Sequence, residues 1–157
     1  MHRYITFIDL PHPVGHVFAW HEGPDALPAL LPAFPPVRIL QHEGIRDEAM
    51  AVFELNLGFK RVRWVAMHED YARNQQFRDV QVEGPFKLWI HTHRFAPLGE
   101  TACRAEDIVQ YELRGGRAVN FLLAPFVRLA LAVMFAQRHR ALERALREAF
   151  ARKPCAA

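Results

Sequence analysis

The sequence predicts an α+β domain in which a seven-stranded antiparallel sheet wraps around one long C-terminal helix, with two short helices after the first strand. Three observations predict it. Seven segments have strand character, the connections between the last six are short, and the longest helical periodicity comes last, over residues 119–150. At 1.5 Å per residue that run is about 45 Å long, enough to cross the whole sheet. A helix placed so leaves room for a small apolar guest between itself and a curved sheet.

The elements follow in chain order. Residues 3–9 set Tyr4, Thr6 and Ile8 against Ile5 and Phe7, an alternation that reads as a strand ended by Pro11 and Pro13. Val14, Val17 and Phe18 then have helical spacing up to Gly23. A second short helix fits residues 25–31, with Asp25 as cap and Pro28 in the first turn. Pro32, Pro35 and Pro36 force extended chain. Strands are predicted at 37–42, 49–57, 60–68, 75–82, 86–95 and 101–113, split by Glu43-Gly44, Gly58, residues 70–74, Gly84-Pro85 and residues 97–100. Such short links favour an antiparallel meander, because parallel neighbours need crossovers of a dozen or more residues. Gly115-Gly116 ends the last strand. Val127, Leu131, Met134, Phe135, Leu142, Leu146 and Phe150 then mark the final helix, with Pro125 expected in its first turn or at a kink. Its first half is apolar nearly all round, which predicts cover by sheet on one side and by loops or a partner on another.

A chain of 157 residues with 51% apolar content fits one domain, set here at residues 1–152 with a disordered tail at 153–157. A domain of this size buries roughly 70% of its unfolded surface. Cys103 and Cys155 lie far apart, which argues against a disulfide framework and for a reducing, cytoplasmic setting. The start MHRYITFIDL offers neither a hydrophobic signal region nor a cleavage site, so secretion is not expected. Residues 121–135, the most apolar window, contain Arg128 and Pro125 and are short against about 30 Å of hydrocarbon, so no transmembrane segment is expected. The net charge is +3. Its excess lies in the last helix, at Arg138, Arg140, Arg144, Arg147, Arg152 and Lys153, with no interleaved aromatics; this predicts a solvated face rather than nucleic-acid binding.

A family resemblance rests on a set of residues spread over the chain. These are Phe77, Asp79 and Gln81, then Gly84-Pro85-Phe86, Trp89, His91, His93 and Phe95, then Asp107, Val109 and Tyr111, and finally Met134-Phe135 with Arg138-His139. Together with the element order they resemble the helix-grip fold of the START-like, or SRPBCC, superfamily, and within it the bacterial ligand-binding proteins. That superfamily includes polyketide cyclases and lipid-transfer proteins. The resemblance implies a cavity between sheet and last helix that holds or carries a hydrophobic small molecule; the reading taken is non-enzymatic binding or transport of a hydrophobic or amphipathic small molecule or lipid, with no cofactor expected, and enzymatic action stays open. Fold alone does not decide function.

Strand geometry supplies the chemistry. If Gly84-Pro85-Phe86 is a three-residue hairpin loop, Asp79 falls opposite His91; if Pro97 falls opposite Thr101, His91 falls opposite Asp107. The three would form a row on one face, a histidine between two carboxylates, with a raised histidine pKa. A polar network that fixes register, a ligand anchor, and an acid or base for a carbonyl substrate are all consistent with that row. His91 is the only catalytic candidate. On strand 86–95, apolar pattern alone would bury Phe86, Leu88, Ile90 and Thr92, whereas the resemblance turns Trp89, His91, His93 and Phe95 inward; the resemblance is followed.

His91 and His93 share a strand face, and could share a metal with Asp79 or Asp107 as third ligand, but no cysteine ligand or HExxH spacing accompanies them. No metal is therefore expected. His12, His16 and His21 read as surface histidines. The sequence contains no serine, which removes a serine triad, and no GxGxxG loop, which removes the commonest nucleotide site. The ligand-binding candidates are Phe53, Leu55, Trp64, Trp89, Tyr111, Val127, Leu131 and Phe135 as apolar wall, with Asp79, His91, His93 and Asp107 as the polar part. The rival readings are a cyclase- or dehydratase-type lyase or isomerase using His91 in the same cavity, a protein-interaction module or homodimer with the helix face at 121–135 exposed and the cavity collapsed, and a carrier that touches membranes peripherally through its basic helix.

Overall fold

The structure is a computed structural model that describes residues 1–151. The tail predicted at 153–157, with Arg152, Lys153 and Cys155, lies outside the described residues. Its elements are β1 (His2–Leu10), α1 (Val14–His21), α2 (Ala26–Leu30), β2 (Val37–His42), β3 (Met50–Asn56), β4 (Arg61–Ala72), β5 (Gln76–Glu83), β6 (Leu88–Pro97), β7 (Cys103–Glu112) and α3 (Gly116–Ala151). All seven strands form one antiparallel sheet in the order β1-β7-β6-β5-β4-β3-β2. The meander therefore holds from β2 to β7, and β1 closes against β7. The two helices after β1 carry the chain across to the opposite edge.

Alternation sets which face of each strand turns inward. Along β1 the exposed positions are Arg3, Ile5, Phe7 and Asp9. Phe7 is roofed by the Arg104 guanidinium, 4.0 Å from its ring centre, and Arg104 is itself held by Asp9 at 2.7 and 2.9 Å. Along β6 the inward residues are Trp89, His91, His93 and Phe95, all buried. Apolar content on the other face, at Leu88 and Ile90, does not outweigh this, because the aromatic and histidine side chains meet the helices.

Two apolar clusters hold the layers together. The first joins Val17 and Phe18 of α1 and Leu30 of α2 to Phe77, Phe95, Leu142 and Leu146. The second joins Trp89, Val109 and Tyr111 of the sheet to Leu131 and Phe135 of α3. Each fully buried large side chain contributes about 2 kcal/mol. The β7–α3 junction is tied by Asn120, whose side-chain amide accepts from the Leu113 N–H and donates to the Leu113 and Gly116 carbonyls, each at 2.8 Å. Gly115 has φ +101°, and a Cβ there would lie 2.8 Å from Val119, so the turn needs glycine.

Several expectations are corrected here. Pro125 does not fall in the first turn: it lies inside α3, which starts at Gly116, and there it cannot donate to the carbonyl of Phe121. The first half of α3 is covered on the sheet side only; Phe121, Leu122, Phe126, Leu129 and Val133 are exposed. The length argument against a membrane crossing also gives way, since this 36-residue helix is by length and composition long and apolar enough to cross a membrane, and most of its apolar stretch is not buried. What marks α3 as a domain helix is packing: Leu131, Phe135, Leu142 and Leu146 are buried against the sheet and the short helices.

His21 is no surface residue. It is 6% exposed, donates from Nδ1 to the Val17 carbonyl at 2.7 Å, and meets the Phe95 ring edge-on. Burial drives its pKa down to about 3. His12 is half-buried and His16 is exposed, as expected for the latter, and both stand against the Phe150 ring.

Candidate functional site

A cavity of about 190 Å³ opens between the sheet, α2 and α3. Alternate residues of three strands floor it: Ala51, Phe53 and Leu55 of β3, Trp64, Ala66 and His68 of β4, and Trp89 and His91 of β6. The registers Phe53↔Trp64 and Ala51↔Ala66 place these side chains in paired rows. The small side chains of Ala51 and Ala66 leave the hollow, and Leu27, Leu30 and Leu31 of the α2 segment close it. Trp64 and Trp89 meet edge-to-face at 5.2 Å.

Of the residues predicted from sequence, Phe53, Leu55, Trp64, Asp79, Trp89 and His91 line this cavity. Tyr111, Val127, Leu131 and Phe135 do not; they belong to the apolar cluster between β7 and α3. His93 and Asp107 lie behind His91, buried. The hollow is thus displaced toward β2–β4 under α2, away from the N-terminal half of α3. Sequence reasoning missed α2 as its lid, and missed His42, His68, Met134 and Arg138 on its wall. The signal that was available is the Leu27–Leu30–Leu31 spacing of an otherwise isolated short helix.

The polar end is a buried network of imidazoles and carboxylates. Asp79 pairs with His91 in register, as the hairpin loop predicts. Asp107, however, pairs with His93, because five residues, 98–102, form the β6–β7 loop and Pro97 meets Cys103. A shift of two residues keeps the face, so Asp107 still points into the row. His91 donates from Nε2 to Asp107 Oδ1 at 2.8 Å, with its Nδ1 3.9 Å from Asp79 Oδ2. His93 bridges both carboxylates, Nε2 to Asp79 Oδ2 at 3.0 Å and Nδ1 to Asp107 Oδ1 at 3.1 Å. His68 Nδ1 lies 2.6 Å from Asp79 Oδ1, though off the line of a hydrogen bond, and His139 Nε2 lies 3.5 Å from Asp107 Oδ2.

The proton is placed differently from the sequence expectation. Burial, reinforced by the neighbouring His93, pushes His91 down to about 4. Burial acts on His93 too, but its bonds to Asp107 and Asp79 overcome that and raise its pKa. Burial would raise both carboxylates; the close approach of His68 with the bond from His93 holds Asp79 well below the usual range, and contacts from His139, His91 and His93 do the same for Asp107. The fold therefore favours a protonated His93 and a neutral His91, and of the two it is His91 that lines the cavity. Cys103 is a buried thiol pushed up to about 11 by burial, which leaves it inert as a nucleophile.

The family described as polyketide cyclase / dehydrase and lipid transport matches residues 10–149. Among curated proteins no relative matches. Solved structures with the same architecture include TTHA0849 from Thermus thermophilus, at TM-score 0.73 and 21% identity over 94% of this chain and 99% of that one. Norcoclaurine synthase from Thalictrum flavum, solved with dopamine and hydroxybenzaldehyde, has TM-score 0.70 and 14% identity over 98% and 88%. A START superfamily protein from Mycobacterium smegmatis has TM-score 0.68 and 14% identity over 94% and 99%. At these identities the likeness is one of fold, a helix-grip architecture.

Proposed function

Since the chain belongs to the polyketide cyclase / dehydrase and lipid transport family, we propose that it binds one small, largely apolar molecule, of single-ring size, between sheet, α2 and α3. The observation that carries this reading is the cavity itself. Its volume of about 190 Å³ exceeds the roughly 150 Å³ that admits benzene. It falls below the roughly 300–1,000 Å³ of drug-sized pockets, which favours a compact guest over a full lipid chain. Trp64, Trp89, Phe53 and Leu55 supply the apolar wall; Asp79, His91 and Arg138 supply one polar end for a hydroxyl, amine or carbonyl. The norcoclaurine synthase relative, solved with dopamine and hydroxybenzaldehyde, holds guests of this size.

A second reading, turnover of the guest by His91, is favoured by one observation: Asp107 fixes the His91 tautomer through Nε2 and leaves Nδ1 without a proton, on a residue that lines the cavity. Magnitude ranks it second. A base whose pKa is about 4 is weak near pH 7, where an efficient general base has a matching pKa. The His91→Ala variant separates the two. Under the binding reading, native mass spectrometry of protein from its own host retains a small molecule in both wild type and variant; a guest released chemically changed by wild type and unchanged by the variant would replace binding with catalysis. A wild type that emerges empty and takes up no aromatic probe would overturn both.

A further inference from the structure

The buried network has a geometry that an ion-pair cluster does not require. Three side chains from adjacent strands converge: Asp79, His91 and His93 each offer one ligand atom, all within 4.8 Å of one another. Asp79 Oδ2 is 3.0 Å from His93 Nε2 and 3.9 Å from His91 Nδ1. Around a metal with bonds of about 2.1 Å, tetrahedral donors stand about 3.4 Å apart, so each of the two separations from Asp79 need change by only about half an ångström.

The far nitrogens of both rings are spoken for by one carboxylate. His91 donates from Nε2 and His93 from Nδ1, both to Asp107 Oδ1. This fixes the His91 tautomer that leaves Nδ1 as a lone pair, while His93 Nε2, bonded to Asp79 Oδ2 in the metal-free protein, would give up its proton as the ion enters; a carboxylate behind both rings is how metal-binding histidines are held. On the other side, His68 crowds Asp79 Oδ1 without a hydrogen bond, and Asp79 Oδ1 and both His68 nitrogens have no hydrogen-bond partner. Once an ion has displaced the proton between His93 and Asp79, the Asp79 and Asp107 carboxylates carry formal charge −2, which a divalent cation balances.

We propose that Asp79, His91 and His93 bind a divalent first-row transition ion at the inner end of the cavity, with Asp107 as the residue that positions both imidazoles. Two imidazoles and a carboxylate suit zinc or ferrous iron and do not suit calcium or magnesium, which take oxygen ligands. Because Asp79 and His91 also line the cavity, the open coordination position faces the guest, an arrangement found at catalytic rather than structural metal sites. The proposal shares the cavity with the binding reading above, but metal uptake is measured without any guest, so either can fail alone.

The test is titration of chelator-treated protein with Co²⁺, read by its visible ligand-field absorption, followed by displacement with Zn²⁺. Wild type should take up one ion with a tetrahedral or five-coordinate spectrum, reversed by Zn²⁺. Asp79→Asn should weaken binding at least about 100-fold, and Asp107→Asn by about 10–100-fold, the cost of losing such a supporting carboxylate. His12→Gln with His16→Gln, at the pair against Phe150, should change nothing. A wild type without a Co²⁺ spectrum overturns the proposal whatever the variants do. So does binding that survives Asp79→Asn or disappears in the His12/His16 variant.

Discussion

Acid should destabilise this protein well before its carboxylates titrate, and the amount follows from two buried histidines. His21 and His91 have folded pKa values of about 3 and about 4, against about 6.5 in an unfolded chain. The fold therefore favours their neutral forms. No penalty exists above pH 6.5; below it the unfolded chain gains protons that the folded chain refuses, and stability falls until the folded values are reached. Between pH 7 and pH 5 each histidine costs about 2 kcal/mol, so together they remove about 4 kcal/mol. His93, raised in the fold, works in the opposite sense, since its contribution is complete below pH 6.5, so the figure is an upper one. Asp79 and Asp107, lowered in the fold, contribute fully down to about pH 4 and are lost only below it. The assay is urea unfolding of chelator-treated protein at pH 7 and pH 5 at equal ionic strength. The loss of about 2–4 kcal/mol expected from these values should shrink by about half in His91→Gln. A midpoint unchanged from pH 7 to pH 5 would refute the burial argument.

Three further outcomes follow. Phe135, 1% exposed and packed on Tyr4 and His91, should cost about 3–5 kcal/mol on replacement by alanine, measured by chemical denaturation. Asn120→Ala removes three hydrogen bonds at the β7–α3 junction and should cost about 1–3 kcal/mol, with early hydrogen exchange in the first turns of α3 as its signature. Residues 113–142 contain Arg114, Arg117, Arg128, Arg138 and Arg140 but no Asp or Glu, and carry the exposed apolar face of α3. That pairing suits an anionic bilayer surface: the protein should co-sediment with phosphatidylglycerol-containing vesicles and be released at about 1 M salt, where screening reaches about 3 Å. Salt-insensitive dimers in place of vesicle binding would assign the face to a second copy.

Much of this architecture was legible because the signals are local. Alternation located every strand, and the apolar stripe from Val127 to Phe150 located α3, since period and burial are coupled in both. The inward face of β6 was legible only through family resemblance, because Leu88 and Ile90 rival Trp89 and Phe95 in apolarity. The network survived an error: a five-residue loop in place of a three-residue one slid Asp107 by two positions, and parity kept it on the same face. Parity could not tell which histidine carries the proton, since that depends on distances of 3.0 and 3.1 Å against 2.8 and 3.9 Å. His21 was hidden because a polar residue in a short helix reads as exposed, and its burial depends on Phe95 arriving from a distant strand. The position of the cavity was hidden for the same reason: Leu27, Leu30 and Leu31 meet the sheet only once the whole meander is built.

The central claim is that the hollow over Ala51 and Ala66 is a guest site. It is tested most directly by titrating wild type and Ala66→Phe with a fluorescent single-ring probe, with urea unfolding as a control for folding. Wild type should bind one probe per chain, and the folded Ala66→Phe variant, its hollow filled by the new ring, should lose at least about 10-fold in affinity. Equal binding by both would contradict the account.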